Sequence, residues 1–566
     1  ALPILFDSTA VDSPAATRAR STTGETRPPS GPADRQYSTS KPPHRDGPDA
    51  TGRELLCVLS AIIAADILLY RAGGGYAGQA VFLVIAVGLL ACGMPHPRFR
   101  WPFWLVAGLS LLLAARMVWL AGPLQVLSGI GLLCAASVAL TGRPVCVPDI
   151  LLRPLHVLPA GLIGLLRYAS STGSWRFRRP SGTGCLTIVL PLAAVAGFGT
   201  LFVLANPDLS QWVGEVFRTF QQWLIHLKEL FAIAPAEFLV WCVAGWVTVG
   251  LLRPLPLSPV LDTLFGIRQP ATDPETSPAP VAASLYEPFR NTLLAVNILF
   301  AVYLVFELLT LWFREFPAGF HYSGYAHEGA AWLTVALALA TLTLSLIFRG
   351  HILHDPRLPV LKRLAACWSV GNLLLAVAVY HRMAIYVEFN GMTRMRTVGL
   401  LGISAVVVGF ALVVWKIRTE QTFGWLVRRQ LQVLALAMLL YPLLPVDALI
   451  HRYNVRCILA GDLAPAVQIS VHPIDSGGLL TLSPLLEVEE PILRDGIAAL
   501  LLQHLNEVED RLAQRKPAGW ASSQLADERL LARLTALRPQ LEQLTMEAGG
   551  QQPALQQFHN WAYQWY

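Results

Sequence analysis

Charged residues are scarce in this chain of 566 residues: Asp, Glu, Lys and Arg together make up 14% of it, whereas hydrophobic residues make up 54%. Soluble domains carry roughly 25% charged residues. The shortage argues against a soluble globular protein, because a soluble core does not need so apolar a balance. The composition instead predicts an integral membrane protein.

Compact motifs of several enzyme and cofactor classes are also missing. The eight cysteines contain no close pair of the kind that binds zinc or forms a redox centre. There is no phosphate-binding glycine loop, dinucleotide fingerprint or nucleophile elbow, which argues against an ATPase or a soluble-type hydrolase. We expect no metal and no cofactor. We also expect no nucleic-acid partner, because in a membrane protein the placement of Lys and Arg matters more than the net charge of +6.

The first 50 residues lack a sustained apolar stretch and are rich in Pro, Ser, Thr and Arg. This composition is typical neither of a cleavable signal peptide nor of a segment that can bury a core. Residues 1–50 are therefore expected to form a disordered cytoplasmic amino-terminal segment.

Long apolar runs occupy most of residues 51–445. A helix needs about 20 apolar residues to cross a hydrocarbon core about 30 Å thick. These runs predict an all-α fold, a polytopic transmembrane helical bundle of about eleven spanning helices. Their approximate ranges are 54–71, 79–93, 101–121, 123–141, 184–206, 234–252, 289–313, 327–348, 364–386, 397–416 and 426–444.

Lys and Arg are concentrated in alternate loops between these runs. Basic residues in short loops stay on the cytoplasmic side, so the pattern predicts a multi-pass membrane protein with a cytoplasmic amino terminus. An odd number of crossings places residues 446–566 on the periplasmic or extracellular side. A stretch near 209–230 has one apolar and aromatic face, and we expect it to lie in the outer interface or to pack on the outer surface of the bundle.

The pattern changes after Pro445 to that of amphipathic helices. Leucines and isoleucines recur at helical spacing from Leu493 to Leu512, and leucines again from Leu530 to Leu544. They predict a soluble helix pair in an extracytoplasmic tail. Membrane lipids are the expected neighbours of the bundle, and the tail could bind an envelope protein partner.

Ionisable residues enter the predicted spans near their outer ends, at Asp66, Arg116, Glu307, His381 and Arg382. A charge near the centre of a membrane helix costs about 2.5–3.5 kcal/mol, so such groups usually face partners or water. One interpretation is structural: Asp66 pairs with Arg116, and Glu307 meets an arginine. The other is a polar, water-accessible cavity open to the exterior.

Three predicted outer segments, at 314–329, 381–394 and 447–454, are rich in groups that bind ligands. With Glu307 they supply the candidate ligand-binding residues. These are Glu307, Tyr325, His327, Glu328, His381, Arg382, Tyr386, Thr393, Arg394, Asp447, Arg452 and Asn454.

At these segments the sequence resembles a family of bacterial multi-pass membrane proteins known only as domain of unknown function 4153/4173. The resemblance covers roughly residues 289–486. It rests on Tyr325-Ala326 with Gly329, Arg382-Met383 with Tyr386, the turn from Gly391 to Arg394, and Asp447 with Arg452-Tyr453-Asn454. His327-Glu328 stands where the family pattern suggests a basic residue. The resemblance implies a bacterial multi-pass membrane protein and no particular activity.

Three classes of function stay open. The first is a membrane scaffold or sensor that binds a partner through its outer loops and tail. The second is a secondary transporter with an outward-open polar cavity. The third is a membrane enzyme acting on a lipid-linked or envelope substrate, with His327, Glu328 or His381 as the acid or base and Arg382 and Arg394 holding an anionic group. No catalytic residue can be assigned, which favours the first class.

Overall fold

The computed structural model describes residues 51–73, 75–143, 145–172, 214–219, 234–254, 286–311, 322–348 and 355–565. Within these ranges the chain is helical and contains no strand. The all-α prediction is therefore confirmed. The expected amino-terminal segment 1–50 and the predicted span 184–206 lie outside the described residues, as does most of the stretch 209–230, of which 214–219 is helical.

The amino-terminal helices form one group. The π-helical turn Asp66–Tyr70 continues the first of them. In chain order the helices are α1 (Gly52–Ala65), α2 (Tyr76–Gly93), α3 (Trp101–Trp119), α4 (Pro123–Leu140), α5 (Val147–Thr172) and α6 (Pro235–Leu252).

A second group of helices completes the bundle, and the tail follows it. The bundle helices are α7 (Tyr286–Leu311), α8 (Tyr322–Ile347), α9 (Leu358–Asn390), α10 (Arg394–Thr419) and α11 (Phe423–Leu443). The tail contains α12 (Val446–Leu459), α13 (Ala466–Val471), α14 (Ser476–Leu479), α15 (Pro491–Arg515), α16 (Leu525–Glu547) and α17 (Gln551–Ala562).

Nine helices of the described chain are long and apolar enough to cross a membrane, namely α2 to α7 and α9 to α11. The predicted span 54–71 corresponds to α1 and its π-helical turn, and the predicted span 327–348 to α8, whose apolar part is Trp332–Ile347. The chain is an integral membrane protein, as the apolar runs predict.

Helix α5 has no counterpart in the sequence prediction, because Pro154 and Pro159 interrupt its apolar run. It contacts the carboxyl-terminal part of α6: the main-chain oxygen of Leu158 accepts a hydrogen bond from Trp246 at 2.7 Å, and Tyr168 stacks on Arg253, the residue after α6 ends. Helix α5 therefore packs against the carboxyl-terminal part of α6, and its length and composition also suit a span.

The helix ends define two faces of the bundle. At one face, which we call the amino face, Arg98 at the start of α3 donates its backbone N–H to Leu140 at the end of α4. At the opposite face Arg71 pairs with Glu237 at 2.7 Å, and Gln125 donates to the carbonyl of Pro442 at 3.3 Å.

The tail is seated on this second face, the tail face. Gln524, which is 1% exposed, donates to Met117 O at 3.1 Å and accepts from Ala121 N at 2.6 Å. A Cβ added to Gly75 would lie 2.3 Å from Ala521 O, so the start of α2 can touch the tail only through a glycine. The tail is thus packed directly against the bundle.

Separate apolar cores hold the parts of the described chain together. One core joins α1 to α6, with Leu113 and Leu140 fully buried, and a second joins α7 to α11, with Leu293 and Leu361 fully buried. In the tail, α15, α16 and α17 pack around a third core. Helix α11 borders both helix groups, since its Leu439 and Leu443 pack on the first core and its Leu426 belongs to the second. The tail and α11 therefore connect the two groups.

Candidate functional site

The turn between α9 and α10 faces the tail, and one asparagine clamps it. Met392 donates its backbone N–H to Asn454 Oδ1 at 2.7 Å, and Asn454 Nδ2 donates back to Met392 O at 3.0 Å. Gly391 has φ +88°, and a Cβ there would lie 2.8 Å from Asn454 Oδ1. Only glycine fits this close approach without strain. Asn454, a sequence-predicted ligand-binding residue, thus holds the turn.

Arg396 holds the same turn from inside the bundle. Its guanidinium donates to Gly391 O and Asn390 Oδ1 and lies 3.8 Å from the centre of the Tyr386 ring. From the tail, Gln468 Nε2 donates to Asn390 O at 2.9 Å. Arg396 is only 5% exposed, yet its Nε has no hydrogen-bond partner among the described residues. A buried donor therefore remains available at this point.

A charge pair joins the first turn of α10 to the first helix of the tail. Arg394 binds Asp447 in bidentate fashion, with Nε 2.6 Å from Oδ1 and Nη2 on Oδ2. Asp447 Oδ2 also accepts the backbone N–H of Asp475 at 2.8 Å. Asp447 is buried, whereas the side chain of Arg394 is 44% exposed. One face of the guanidinium therefore stays accessible.

Arg394, Arg396 and Asp447 line a cavity of about 760 Å³ at the tail face. Ligand sites usually measure about 300–1,000 Å³, so the volume suits a small molecule or a lipid head group. The bundle contributes one wall, with Tyr386, Thr393, Arg394 and Arg396, and the tail contributes the other, with Asp447, His451, Gln468 and His472. A ligand here would touch both parts.

The electrostatic balance of the cavity favours an anion. Thr393 caps α10, its Oγ1 accepting the N–H of Arg396 at 3.2 Å, so the positive end of the helix dipole points at the cavity. Two arginines in the first turn add to this charge against the usual preference for acidic residues there. Asp447 neutralises Arg394, while no carboxylate of the described residues pairs with Arg396. The site therefore carries a net positive charge when Asp447 is ionised.

Histidine 451 lies in the tail wall and is 4% exposed, and no residue that the structure describes bonds its Nδ1. Burial lowers its pKa from 6.5 to about 4. Burial has the opposite effect on the carboxyl group of Asp475, whose pKa it raises, and the nearby charge of Asp447 raises that pKa further. Burial alone would raise the pKa of Asp447, but hydrogen bonds from Arg394 and from the backbone of Asp475 lower it. At neutral pH the ring of His451 is uncharged beside an ionised Asp447.

Acidification should destabilise the protein through His451. The unfolded state takes up the proton near pH 6.5 and the folded state only near pH 4, so stability is full above pH 6.5 and falls across that window. The loss is about 2 kcal/mol at pH 5. The charged or titratable groups that act electrostatically on the His451 ring are Asp447, Arg394 and His472. Thermal unfolding from pH 8 to pH 5 should show a smaller decline for His451→Gln than for the native chain.

The exposed His559 supplies the control for this measurement. His559→Gln should leave the pH profile of unfolding unchanged. If His451→Gln and the native chain lost stability in parallel between pH 6.5 and pH 5, His451 would not be the titrating group.

The structure separates Glu307 and Arg382 from this cavity. They form a bidentate pair between α7 and α9, with Arg382 Nε 2.7 Å and Nη2 2.8 Å from the two carboxylate oxygens. Tyr303 donates its hydroxyl to the same carboxylate at 2.9 Å. Both charged residues are at least 95% buried. Their charges are thus directed at each other within the bundle.

Asp66 and Arg116 do not form the expected pair. Asp66 pairs with Arg71 at 2.9 Å, because the π-helical turn brings that arginine round to it. Arg116 donates its Nη1 to the carbonyl of Leu120 at 2.5 Å. The carboxylates of Asp475 and Asp447, in the tail, attract its charge. Arg116 therefore extends toward the tail face.

The other sequence-predicted residues are distributed differently. Tyr325, His327 and Glu328 lie in α8, and their side chains fall outside the described ones. Arg452 is exposed and His381 half-buried, and neither lines the cavity. Of the candidates, Tyr386, Thr393, Arg394 and Asp447 do line it.

Sequence reasoning missed several residues of the cavity, including Arg396, His451, Gln468 and His472. One signal was present: two arginines open the apolar run of α10 at alternate positions, where a basic residue opposes the helix dipole. Within the described chain no group of three or more His, Cys, Asp or Glu is arranged to hold a metal ion.

Comparison with known proteins identifies a family. A family model described as Domain of unknown function (DUF4153) matches residues 58–483, about three quarters of the chain. No curated protein and no solved structure matches. The matched range includes the amino-terminal helices, the bundle, the turn at Gly391 and the first part of the tail.

Proposed function

The chain belongs to the family of domain of unknown function DUF4153, and from that premise we propose that it is a non-catalytic membrane sensor or scaffold whose tail-face cavity binds an anionic ligand. In this proposal the tail lies on the outer side of the bacterial inner membrane. The bound ligand is read out through the tail, which presents a surface to an envelope protein partner.

The observation that carries the proposal is that the bundle and the tail each form one wall of the same cavity. The bundle supplies Arg394 and Arg396, and the tail supplies Asp447, His451 and Gln468. The same residues form the joints between the two parts, at Arg394 with Asp447 and at Gln468 with Asn390. A ligand that competes for these groups changes the strength of the joints, which couples binding to the tail.

The residues suit binding better than catalysis or transport. Arginine side chains bind phosphate or carboxylate through several hydrogen bonds at once. The transporter alternative depends on Glu307 and Arg382 facing an open cavity, but these two charges are paired with each other. The enzyme alternative depends on His327, Glu328 or His381 as the acid or base. His381 does not line the cavity, and His451, which does, is deeply buried with its pKa lowered to about 4.

The proposal predicts that an anion slows amide exchange in both parts of the site. Hydrogen–deuterium exchange would be measured on the full chain in nanodiscs, with inorganic phosphate as the probe and chloride of equal ionic strength as the reference. Phosphate should protect residues 390–396 of the bundle and residues 446–475 of the tail together. Arg396→Gln should remove most of this protection, because it deletes the cavity cation that no described carboxylate pairs with and whose buried Nε has no partner there.

An exposed arginine provides the control. Arg452 lies in α12, the tail helix that contains Asp447 and His451, but it does not line the cavity. Protection of Arg452→Gln by phosphate should therefore match that of the native chain. Protection confined to the bundle would contradict the sensor proposal. Equal protection in Arg396→Gln would show that phosphate acts elsewhere.

A further inference from the structure

A second cavity continues from the tail-face cavity into the membrane-spanning part of the bundle. It measures about 770 Å³ and shares Thr334 and Gly402 with the first. We call it the apolar groove. It runs between α8, α10 and α11 and is lined largely by apolar residues, among them Leu342, Val406 and Leu434.

The length of the groove matches one half of a bilayer. Along α10 its lining extends from Val398 to Gly409, which at 1.5 Å per residue is about 16 Å. The hydrocarbon of one leaflet is about 15 Å thick, half of a core of about 30 Å. The rim of the groove includes the exposed side chains Leu342, Leu434 and Met438. The groove is therefore open sideways, toward the position of the lipid.

The head of this combined space is positive and has free hydrogen-bonding capacity. Arg394 is partly exposed there, and within the described part of the chain the buried Nε of Arg396 and Nδ1 of His451 have no hydrogen-bond partner. Unpaired buried polar atoms are costly, so a site that contains two of them gains when a ligand satisfies them. A positive, polar head that opens into an apolar groove complements an amphiphile with an anionic head.

We propose that the two cavities together bind one anionic glycerophospholipid from the surrounding membrane. Its phosphate lies at Arg394 and Arg396, and a hydrocarbon chain lies in the apolar groove along α10. This inference rests on the proposed anion site and names its ligand class. It makes the chain a sensor of an anionic lipid, because the head group would contact both the bundle and the tail.

Glycine 402 offers a direct test, because it lies at the junction of the two cavities and a Cβ there would meet nothing within 4 Å. Gly402→Leu fills the junction while raising helix propensity by about 1 kcal/mol, so folding is favoured. Gly402→Ala adds a single methyl and gives a graded comparison. Gly108→Leu is the matched control, since Gly108 is also an exposed helical glycine with nothing within 4 Å and lines neither cavity.

The readout is native mass spectrometry of the full chain released from nanodiscs that contain phosphatidylglycerol or, in a parallel sample, phosphatidylcholine of the same chains. The native chain and Gly108→Leu should each retain one phosphatidylglycerol. Gly402→Leu should retain at least fivefold less, and Gly402→Ala an intermediate amount. Phosphatidylcholine should be retained at least fivefold less than phosphatidylglycerol by the native chain.

The outcomes separate this inference from the function on which it rests. If Gly402→Leu kept phosphatidylglycerol as well as Gly108→Leu did, or if phosphatidylcholine were retained equally, the lipid proposal would be overturned. The anion site would still stand if inorganic phosphate protected both parts of the site in Gly402→Leu. Loss of phosphate protection in the native chain would instead overturn the proposed function itself.

Discussion

Arg382→Met is expected to lower the free energy of unfolding by about 3–5 kcal/mol, because it removes one member of a buried ion pair and takes the guanidinium from both carboxylate oxygens of Glu307. Glu307 is 1% exposed, and both of its carboxylate oxygens bind the guanidinium. The hydrogen bond from Tyr303 to the same carboxylate is neutral and does not replace a cation. Equilibrium unfolding in mixed micelles, followed by circular dichroism, measures the loss.

Two comparisons isolate the buried charge as the cause. The double variant Glu307→Leu with Arg382→Met replaces the pair by apolar groups and should recover most of the lost stability. Lys362→Met breaks an exposed pair with Glu420, whose side chain is 69% exposed, and should cost less than about 1 kcal/mol. The buried-pair account would be wrong if Arg382→Met cost no more than Lys362→Met.

The same pair shows what sequence reasoning could reach. Apolar runs located most of the spans, because a helix that crosses lipid must be apolar over about 20 residues. The cost of a charge in such a run marked Glu307 and Arg382 as unusual and indicated an arginine partner for the glutamate. The identity of that arginine depends on how α7 packs against α9, which the sequence does not state.

Prediction failed where helices depart from the simple span. The prolines of α5 disrupt an apolar run, yet the helix persists because it packs against α6 through close contacts at Gly161 and Gly164. Asp66 was expected to reach across to Arg116, but a local π-helical turn supplies Arg71 instead. Both outcomes depend on tertiary packing or local backbone geometry, which override the hydrophobic pattern.

The candidate site was predictable only in part. Polar residues at the ends of spans pointed to Thr393, Arg394 and Asp447, and the three do meet at the cavity. His451 and Gln468 join them only because α12 and α13 fold back onto the turn at Gly391. Their role arises from the docking of the tail, and a pattern within one helix does not reveal such docking.

Asn454→Ala is the second substitution with a large expected effect, about 2–4 kcal/mol in the free energy of unfolding. Asn454 is fully buried, and it satisfies both the N–H and the C=O of Met392. Alanine removes the partners of two backbone groups at once, and each unsatisfied buried group costs about 1–3 kcal/mol. Unfolding in mixed micelles gives the total, and amide exchange at residues 390–394 shows whether the turn loosens.

The design of this experiment separates a clamp from a ligand group. Asn454→Asp keeps the acceptor for Met392 N but places a carboxylate oxygen against Met392 O, so a clamp predicts a loss of stability at least as large as that of Asn454→Ala. Arg452→Ala, at an exposed position of the same helix, should change stability by less than about 0.5 kcal/mol. Unchanged stability in Asn454→Ala, with weaker protection by phosphate, would instead make Asn454 a ligand-binding residue. Faster exchange at the turn in the absence of phosphate would show that Asn454 links the bundle to the tail before any ligand arrives.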